Sequence, residues 1–260
     1  MDTDAVLEMM KQVAAEVINP RFRALEDGDV EHKRPGDLVT VADREAELAI
    51  TRELRAAHPG CVVVGEEAVF FEPTLVDHVG KAEHAFLVDP IDGTKNFTEG
   101  KDEHAVMVAE LRHGEITRSW IWQPALGHSF VAELGAGAYR DGERLPRRRP
   151  VDGTPKGRTS RQRILKADTG GQLDISMSMW CCGVDYPDIA TGENDFLLYV
   201  NNKPWDHAPG ALLLSETGGG LHSWTGSPYR ASSSERGLLA VGHMDLVPEI
   251  KRLLDLRLEA

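Results

Sequence analysis

A six-residue run, Asp89-Pro90-Ile91-Asp92-Gly93-Thr94, constrains this chain more than any other segment. It follows the apolar stretch 85–88, which predicts a short buried strand. The run therefore lies at the carboxyl end of a strand, where open α/β sheets bind their ligands. Asp89 and Asp92 are separated by a proline bend and can converge on one point, where a hard divalent cation would offset their repulsion. An ordinary surface turn is the alternative interpretation.

The length and charge of the chain limit its class. A chain of 260 residues can bury a sizeable core, in one domain or in two closely packed halves. With 42 acidic and 29 basic residues the net charge is -13, which argues against a general binder of nucleic-acid polymers or anionic membranes. A small anionic substrate stays compatible with this charge, because bound metal ions would reverse the local field.

The three cysteines, Cys61, Cys181 and Cys182, match neither a disulfide framework nor a zinc-binding pattern. We expect them to be buried and reduced. The amino terminus is acidic, no run of signal-peptide type follows it, and no stretch reaches membrane-spanning length. These features predict a cytoplasmic protein that does not bind membranes.

The first half of the chain predicts helices packed on a largely antiparallel sheet. A helix capped by Asp4 is expected to end at Pro20, and residues 26–37 are rich in turn formers. Further along, apolar periodicity predicts a helix over 42–57 and a buried strand over 61–64. Four more strand-like segments, joined by glycine-containing turns, follow the Asp89–Thr94 run: 104–111, 116–122, 129–133 and 137–140.

Residues 144–158 are the best candidate for a boundary, since they combine prolines and glycines with the cluster Arg147–Arg149. We expect a solvated loop here, with binding of an anion or an acidic partner as the alternative. The second half alternates strands (near 163–166 and over 196–200, 220–224 and 237–241) with helices (near 176–190 and over 205–217 and 246–258). The sequence thus predicts an α+β half, 1–145, and an α/β half, 146–260, packed as one compact unit.

Three more acidic sites accompany the run. Glu66 and its neighbour Glu67 follow a predicted strand, where a solvated loop is the alternative interpretation. Asp43 can cap the helix that it precedes, and Glu47, one turn on, is expected to be solvated. Asp206 stands at the start of a helix, where it can cap the helix or reach a metal ion.

In this order the segments resemble the inositol monophosphatase family. The matching segments are Asp37–Thr40 with Asp43 and Glu47, Gly65-Glu66-Glu67, Asp89–Thr94 with Asn96-Phe97, and Trp205-Asp206 before Gly210. The resemblance implies a layered αβαβα sandwich, a fold between the α+β and α/β classes. It also implies a Mg2+-dependent phosphatase that acts on a small phosphorylated substrate, commonly as a homodimer.

The resemblance implies a set of metal ligands. Glu66, Asp89 and the carbonyl oxygen of Ile91 would hold the first Mg2+, and Asp89, Asp92 and Asp206 the second. A third, weaker ion would share Glu66. Ligation by oxygen alone suits Mg2+ or Mn2+ and does not suit structural zinc.

The resemblance also implies catalytic roles. Thr94 and Glu66 would orient and deprotonate the attacking water, while Asp43 holds the Thr94 hydroxyl. The backbone N–H groups of Gly93 and Thr94 would bind the phosphate. Asp92 and Asp206 would orient a second water that protonates the leaving oxygen. No covalent intermediate is required, so neither Cys181 nor Cys182 need be a nucleophile.

The chain departs from the family in the stretch Met177–Gly183. Met177 stands where the family carries arginine, and Trp180 stands at a glycine position, which narrows the expected pocket. Tyr199 replaces the glutamate with which inositol-specific members bind substrate hydroxyls, and Asp195 lies nearby but out of register. Near Asp206, His207 and Pro209 alter the start of the helix without removing the ligand.

These departures leave the substrate open. Asn96-Phe97 is similar to the inositol branch, and Lys95 is similar to the branch that hydrolyses nucleotide bisphosphates. An inositol-phosphate-like compound or a sugar phosphate is the first expectation. The alternatives are a 3',5'-bisphosphate nucleotidase, a histidinol-phosphate phosphatase, and a catalytically silent member that binds a metal ion or ligand. The residues that select the substrate are expected around 98–104 and 180–199.

Overall fold

The computed structural model describes residues 1–34, 37–254 and 256. Within them the chain forms the α-helices α1 (Thr3–Val13), α2 (Val41–Ala57), α3 (Glu66–Phe71), α4 (Thr94–Thr98), α5 (Gln162–Leu165), α6 (Cys182–Thr191), α7 (Pro204–Glu216) and α8 (Leu246–Leu253). A π-helical turn, Ala14–Ile18, and the 3-10 turns Asn19–Arg21 and Pro73–His78 complete the helical structure of the described residues. None of the described helices is long and apolar enough to span a membrane.

Two sheets form the body of the molecule. The first contains β3 (Val62–Gly65), β4 (His84–Asp92), β5 (Ala105–Arg112), β6 (Glu115–Gln123), β7 (His128–Glu133), β8 (Gly137–Arg140) and β9 (Glu143–Arg144), in that spatial order. Its pairs are antiparallel except β3 with β4. The second has the order β11-β10-β12-β14-β13, from β10 (Lys156–Thr159), β11 (Asp174–Met177), β12 (Phe196–Tyr199), β13 (Gly220–Ser223) and β14 (Leu238–Val241). A separate antiparallel hairpin joins β1 (Val30–Arg34) to β2 (Asp37–Thr40).

Helices and sheets alternate in five layers. Helices α1 and α2 pack on one face of the seven-stranded sheet, and α6 and α7 pack between that sheet and the five-stranded one. Helices α5 and α8 pack against the strands of the five-stranded sheet, and the core of α8 lies on its outer face. The order is therefore helix, sheet, helix, sheet, helix, and the αβαβα sandwich expected from the sequence is confirmed.

The layers explain why β4 is apolar without alternation. Phe86 and Val88 point into the core beneath α1 and α2, whereas Ala85 and Leu87 belong to the core on the opposite face. A strand buried on both faces reads as a continuous apolar run. Asp89 directly follows these apolar residues in β4, near the central helix layer.

Several expectations about local structure are wrong. Asp2, not Asp4, caps α1 by accepting the Ala5 N–H at 2.8 Å. The turn-rich segment 26–37 contains the strand β1, which pairs with β2. Residues 163–166 belong largely to the short helix α5, whose neighbouring strand lies earlier, at 156–159. The helix expected over 176–190 begins only at Cys182, because 174–177 pair with β10 as a parallel strand.

The remaining predicted elements are present with shifted ends. Helix α8 ends at Leu253, and most of the predicted extension to 258 lies outside the described residues. The segment between β9 and β10, which contains Arg147–Arg149, connects the two sheets. The division of the chain into two halves at residue 145 stays a prediction. All three cysteines are buried and free, as expected.

Candidate metal centre and active site

The Asp89–Thr94 run forms an irregular end of β4. Pairing with β5 shifts register between Asp89 and Asp92, so one extra residue is accommodated in β4. Such bulges bend a strand and re-aim its side chains, often beside active sites. Gly93 follows with φ 81°, and a Cβ at that position would lie 2.9 Å from the Glu103 carbonyl oxygen. Only glycine fits this conformation without strain, and α4 begins at the next residue.

Three carboxylates from distant segments converge beside this bulge. Glu66 at the start of α3, Asp89 in β4 and Asp206 in the first turn of α7 each offer one oxygen, and these oxygens lie within 4.8 Å of one another. Asp89 is 2% exposed, and its Oδ1 is buried with no hydrogen-bond partner among the described residues. Buried carboxylate oxygens are costly unless paired or bound to a cation. The donor set therefore fits a hard cation such as Mg2+ or Mn2+.

The protonation states follow from burial and from two lysines. Burial opposes ionisation of Glu66, but the ammonium groups of Lys203 and Lys33, with Nζ atoms 2.8 and 3.4 Å from Oε1, outweigh it and lower its pKa. Burial and the neighbouring carboxylates raise the pKa of Asp89. Burial raises the pKa of Asp206 to about 8. Without a cation, protons thus take part of the neutralising role.

Sequence reasoning did not identify these lysines. Lys203 lies three residues before Asp206 in the sequence. A lysine so close to a predicted metal ligand indicates that its ammonium group can reach the carboxylates. Lys33 also pairs with Glu67 and lies in β1, a segment expected to be turns. Nothing local in the sequence connects β1 to α3, because the contact depends on the fold of the hairpin.

Asp92 lies apart from the three converging oxygens. Its Oδ2 accepts the Gly183 N–H at 2.6 Å and a weak hydrogen bond from Cys181 Sγ at 3.0 Å. Burial nevertheless raises the pKa of Asp92 to about 7. Asp92 lines the same cavity as Asp206, so it remains a candidate ligand and substrate contact, with one oxygen already held by the start of α6.

Thr94, Asp43 and Ile91 are brought together as the resemblance implied. Thr94 Oγ1 lies 3.1 Å from Asp43 Oδ1 and 3.0 Å from the Ile91 carbonyl oxygen, so its one proton can be donated to either. Asp43 also forms a capping box with Thr40 at the start of α2. Burial raises the pKa of Asp43 to about 7. The two interpretations of Asp43, as a cap and as a partner of Thr94, are therefore compatible.

Glu47 is buried, and the expectation that it is solvated is wrong. It is 5% exposed, and its carboxylate accepts the N–H groups of Glu67 and Ala68 at 2.7 and 2.8 Å. A Cβ on Gly65 would lie 2.2 Å from Glu47 Cδ, so glycine is required where the carboxylate crosses the chain. Glu47 thus fixes the first turn of α3 and, with it, the position of Glu66. The side chain of Asp37 lies outside the described residues.

A cavity of about 370 Å³ opens beside the carboxylates. Its lining combines acidic, aromatic and basic side chains: Asp92, Ser160, Arg161, Trp180, Cys182, Tyr199, Val200, Asn201, Asp206 and His207. Asp195 is not part of it, because it binds Arg148 and the Lys156 N–H, each at 2.9 Å. The cavity joins the candidate metal ligands to the segment where the chain departs from the family, and it can hold the remainder of a small substrate.

Sequence comparison agrees with this arrangement. Residues 2–251 match the sequence model of the inositol monophosphatase family. An inositol-1-monophosphatase of Rhizobium meliloti is 31% identical over 233 residues, which cover 84% of this chain and 85% of that protein. The Nus factor SuhB of Pseudomonas aeruginosa is 31% identical over 225 residues, covering 79% of this chain and 80% of that one. A fructose-1,6-bisphosphatase/inositol-1-monophosphatase of Thermotoga maritima is 27% identical over 214 residues, covering 76% and 75%.

Solved structures share the whole fold. The Thermotoga maritima IMPase superposes with a TM-score of 0.81 at 24% identity and covers 96% of each chain. The extragenic suppressor protein suhB of Bartonella henselae has a TM-score of 0.81 at 26% identity, covering 98% of this chain and 100% of that one. Because the family model matches nearly the whole chain and a relative of that name is 31% identical over most of it, the chain belongs to the inositol monophosphatase family, a family of phosphatases.

Proposed function

We propose that this protein is a Mg2+-dependent phosphomonoesterase that hydrolyses a small phosphorylated metabolite with water. The convergence of Glu66, Asp89 and Asp206 carries the proposal, together with the buried Asp89 Oδ1, which lacks a hydrogen-bond partner in residues 1–34, 37–254 and 256. Glu66, Asp89, Asp92, Asp206 and the Ile91 carbonyl would hold the ions. When bound, such ions neutralise phosphate charge and activate water.

The chain's own residues would supply orientation and proton transfer. Glu66 would accept the proton of the attacking water, as the resemblance implies; its lowered pKa keeps the carboxylate ionised, although it also makes it a weaker base. Thr94 would orient that water, since its hydroxyl is held between Asp43 and the Ile91 carbonyl. The N–H groups of Gly93 and Thr94 would bind phosphate oxygens, and Asp92 with Asp206 would orient the water that protonates the leaving alcohol.

The proposal is tested by phosphate release from a metabolite panel, with Mg2+, with Mn2+ and with chelator. The panel contains inositol phosphates, fructose 1,6-bisphosphate, adenosine 3',5'-bisphosphate and histidinol phosphate, so that sugar phosphatase, nucleotidase and histidinol-phosphate phosphatase activities are separated. Inhibition by lithium is recorded on every active substrate. Metal-independent release, or none from the whole panel, would contradict the proposal.

Thr94→Ala is expected to lower kcat by about 100- to 1,000-fold with little change in KM, since it removes an orienting hydroxyl rather than a metal ligand. Thr94→Ser is the matched control, because it keeps the hydroxyl between Asp43 and Ile91, and it should retain most of the rate. Steady-state phosphate release and Mg2+ binding by calorimetry measure both effects. An alanine variant with the wild-type kcat would remove Thr94 from the mechanism.

A second candidate is a binding role without catalysis. Relatives named Nus factor SuhB, including the one from Pseudomonas aeruginosa, and the altered segment Met177–Gly183 favour it. This protein would then bind a metal ion or ligand and act through a partner. A measurable rate on any substrate that Thr94→Ala abolishes excludes this candidate, whereas Mg2+ binding without turnover supports it.

Two properties complete the proposal by family resemblance. We propose that the protein is a homodimer and that it functions in the cytoplasm, where its three buried cysteines stay reduced. Light scattering coupled to size-exclusion chromatography tests the first property, and a monomeric mass at assay concentration would overturn it. Fractionation of cells that express the protein tests the second.

A further inference from the structure

The wall of the cavity carries a partly exposed tryptophan. Trp180 lines the cavity together with Asp92 and Asp206 and is 55% exposed, whereas Trp120, Trp205 and Trp224 are buried. Exposure of a single aromatic side chain is common on protein surfaces, but this one lines a concave cavity that also contains carboxylates. Because Trp180 lies beside the candidate metal ligands, contact with a ligand that enters the cavity is the first explanation for its exposure.

The backbone of Trp180 is strained. Its φ is 58°, in the left-handed region that bulky residues rarely adopt and that glycine adopts freely. The family pattern has glycine at this position, so the tryptophan here replaces the residue that the conformation favours. Strain of this kind persists where surrounding contacts fix the chain, and it is concentrated at ligand sites.

Contacts on both sides fix this conformation. Before Trp180, the Ser178 hydroxyl donates to Asp185 Oδ2 at 2.6 Å and accepts the Trp180 N–H at 2.9 Å. The Met179 carbonyl accepts a hydrogen bond from Asn96 Nδ2 in α4 at 2.8 Å. After Trp180, Cys181 contacts Asp92. The indole is therefore presented at the cavity by a segment tied directly to the elements that carry Thr94 and Asp92.

A second aromatic residue borders the same cavity. Tyr199 stands where inositol-specific members carry an acid, and its hydroxyl donates to Asp185 Oδ2 at 2.7 Å and lies 2.7 Å from Ser178 Oγ. With its hydroxyl donating to Asp185, Tyr199 lines the cavity with an aromatic side chain and offers no acidic group for sugar hydroxyls. The lining thus contains two aromatic residues at positions where the family pattern has glycine and glutamate.

We propose that the cavity selects phosphomonoesters whose alcohol part carries a planar aromatic ring, and that Trp180 stacks on this ring. The inference rests on the proposed phosphatase function and specifies its substrate class. A heterocycle such as an imidazole or a nucleobase has the required flat face, whereas the puckered ring of an inositol or a sugar does not. Trp180 acts here as a specificity-determining residue and takes no part in proton transfer.

The test compares two substrates that differ chiefly in the planarity and aromaticity of the ring. Benzyl phosphate and cyclohexylmethyl phosphate have similar size and similar leaving alcohols, so their reactivities should match in the absence of stacking. The wild-type enzyme is expected to prefer benzyl phosphate. The substitution Trp180→Gly should raise the KM for benzyl phosphate by roughly 3- to 10-fold and leave kcat nearly unchanged. Cyclohexylmethyl phosphate should be hydrolysed equally by both enzymes, and Trp180→Phe should restore most of the preference.

Stability separates recognition from a structural role. Because glycine adopts the left-handed conformation without strain, Trp180→Gly should unfold at a Tm equal to or above that of wild type. If Trp180 had only a structural role, Trp180→Gly would instead have a lower Tm and would lose activity equally on both substrates. Phe71→Ala, which alters an aromatic residue that is 70% exposed and outside the cavity, is the matched control and should leave the preference intact.

A binding measurement keeps the inference independent of turnover. Adenosine 5'-monophosphate should produce a saturable change of tryptophan fluorescence in wild type that is absent in Trp180→Phe. No change in wild type, or an identical change in both proteins, overturns the inference, as does an equal loss on both substrates in Trp180→Gly. Fluorescence binding without any phosphate release would instead refute the proposed function and leave the ring site standing.

Discussion

Asp89→Asn is expected to lower Mg2+-dependent phosphate release by about 1,000-fold, which corresponds to the loss of several kcal/mol of metal-derived stabilisation of the transition state. Asp89 is central to the carboxylate group, because its buried Oδ1 has no hydrogen-bond partner within the described part of the chain and its side chain lies close to both Glu66 and Asp206. Asparagine keeps the size of the side chain but removes the charge and one ligand oxygen.

Metal affinity should fall together with the rate. Removing even an indirect partner of a metal ligand commonly costs 10- to 100-fold in affinity, so loss of a direct ligand should cost at least about 100-fold. Calorimetric titration with Mg2+ measures this effect apart from turnover. If raising the Mg2+ concentration restores most of the rate to Asp89→Asn, the defect lies in binding of the ion rather than in the chemistry.

Asp245→Asn provides the matched control. It removes the same charge from a side chain that is 79% exposed at the start of α8, away from the cavity. Its rate and Mg2+ affinity should equal those of wild type. An Asp89→Asn enzyme with more than a tenth of the wild-type rate, at the same Mg2+ affinity, would show that this carboxylate does not belong to the catalytic centre.

The acidic positions were predictable because each is marked locally. Glu66 directly follows an apolar strand, and Asp89 follows the apolar residues of another. Asp206 lies two residues after Pro204, at a helix start, so strand ends and a helix start bring all three to one edge of the layers. The order of these motifs along the chain then identified the family. The position of a polar residue directly after a buried strand can be read from the sequence, because the apolar run that forms the strand is visible there.

The environment of the carboxylates was not predictable in the same way. Glu47 was expected to be solvated, since its position in α2 looks polar, but α3 folds over it and supplies two N–H donors. The pairing of Lys33 with Glu66 depends on how a hairpin folds back over α3. Such contacts join residues far apart in sequence, and they set the pKa values on which the chemistry depends.

Short strands were also missed for a physical reason. Strands β10 and β11 are four residues each and pair in parallel across a connection that contains α5, so neither shows the periodicity of a longer element. The glycine in β10 packs against Phe196 of β12, a contact that depends on the sheet and not on local propensity. Tertiary pairing therefore decided the structure of 156–177.

Metal-free protein is expected to be markedly less stable than Mg2+-saturated protein, and more so at pH 8 than at pH 6. A ligand that is present at 100 times its dissociation constant raises the free energy of unfolding by about 2.7 kcal/mol. For a chain of this size that corresponds to a rise of roughly 5–10 °C in Tm. Scanning calorimetry with chelator or with excess Mg2+, at both pH values, measures the difference.

The direction of the pH effect follows from the raised pKa values. Folding raises the pKa of Asp206 to about 8 and that of Asp92 to about 7, from ordinary values near 4. A carboxyl group of this kind contributes stability that is complete below the ordinary pKa and is lost as the pH rises through the folded-state value. The pKa of Glu66 is lowered, so its contribution to stability is lost only in acid and stays constant between pH 6 and 8.

Cations and protons therefore compete for the same buried oxygens. At pH 8 the metal-free cluster carries more unbalanced charge, which Mg2+ relieves, whereas at pH 6 protons have already relieved part of it. Asp206→Asn should flatten the pH dependence of the metal-free Tm, because it removes a buried carboxyl group whose pKa is raised to about 8. A Mg2+-induced rise in Tm that is larger at pH 6, or absent at both pH values, would mean that these carboxylates are neutralised by something other than a bound cation.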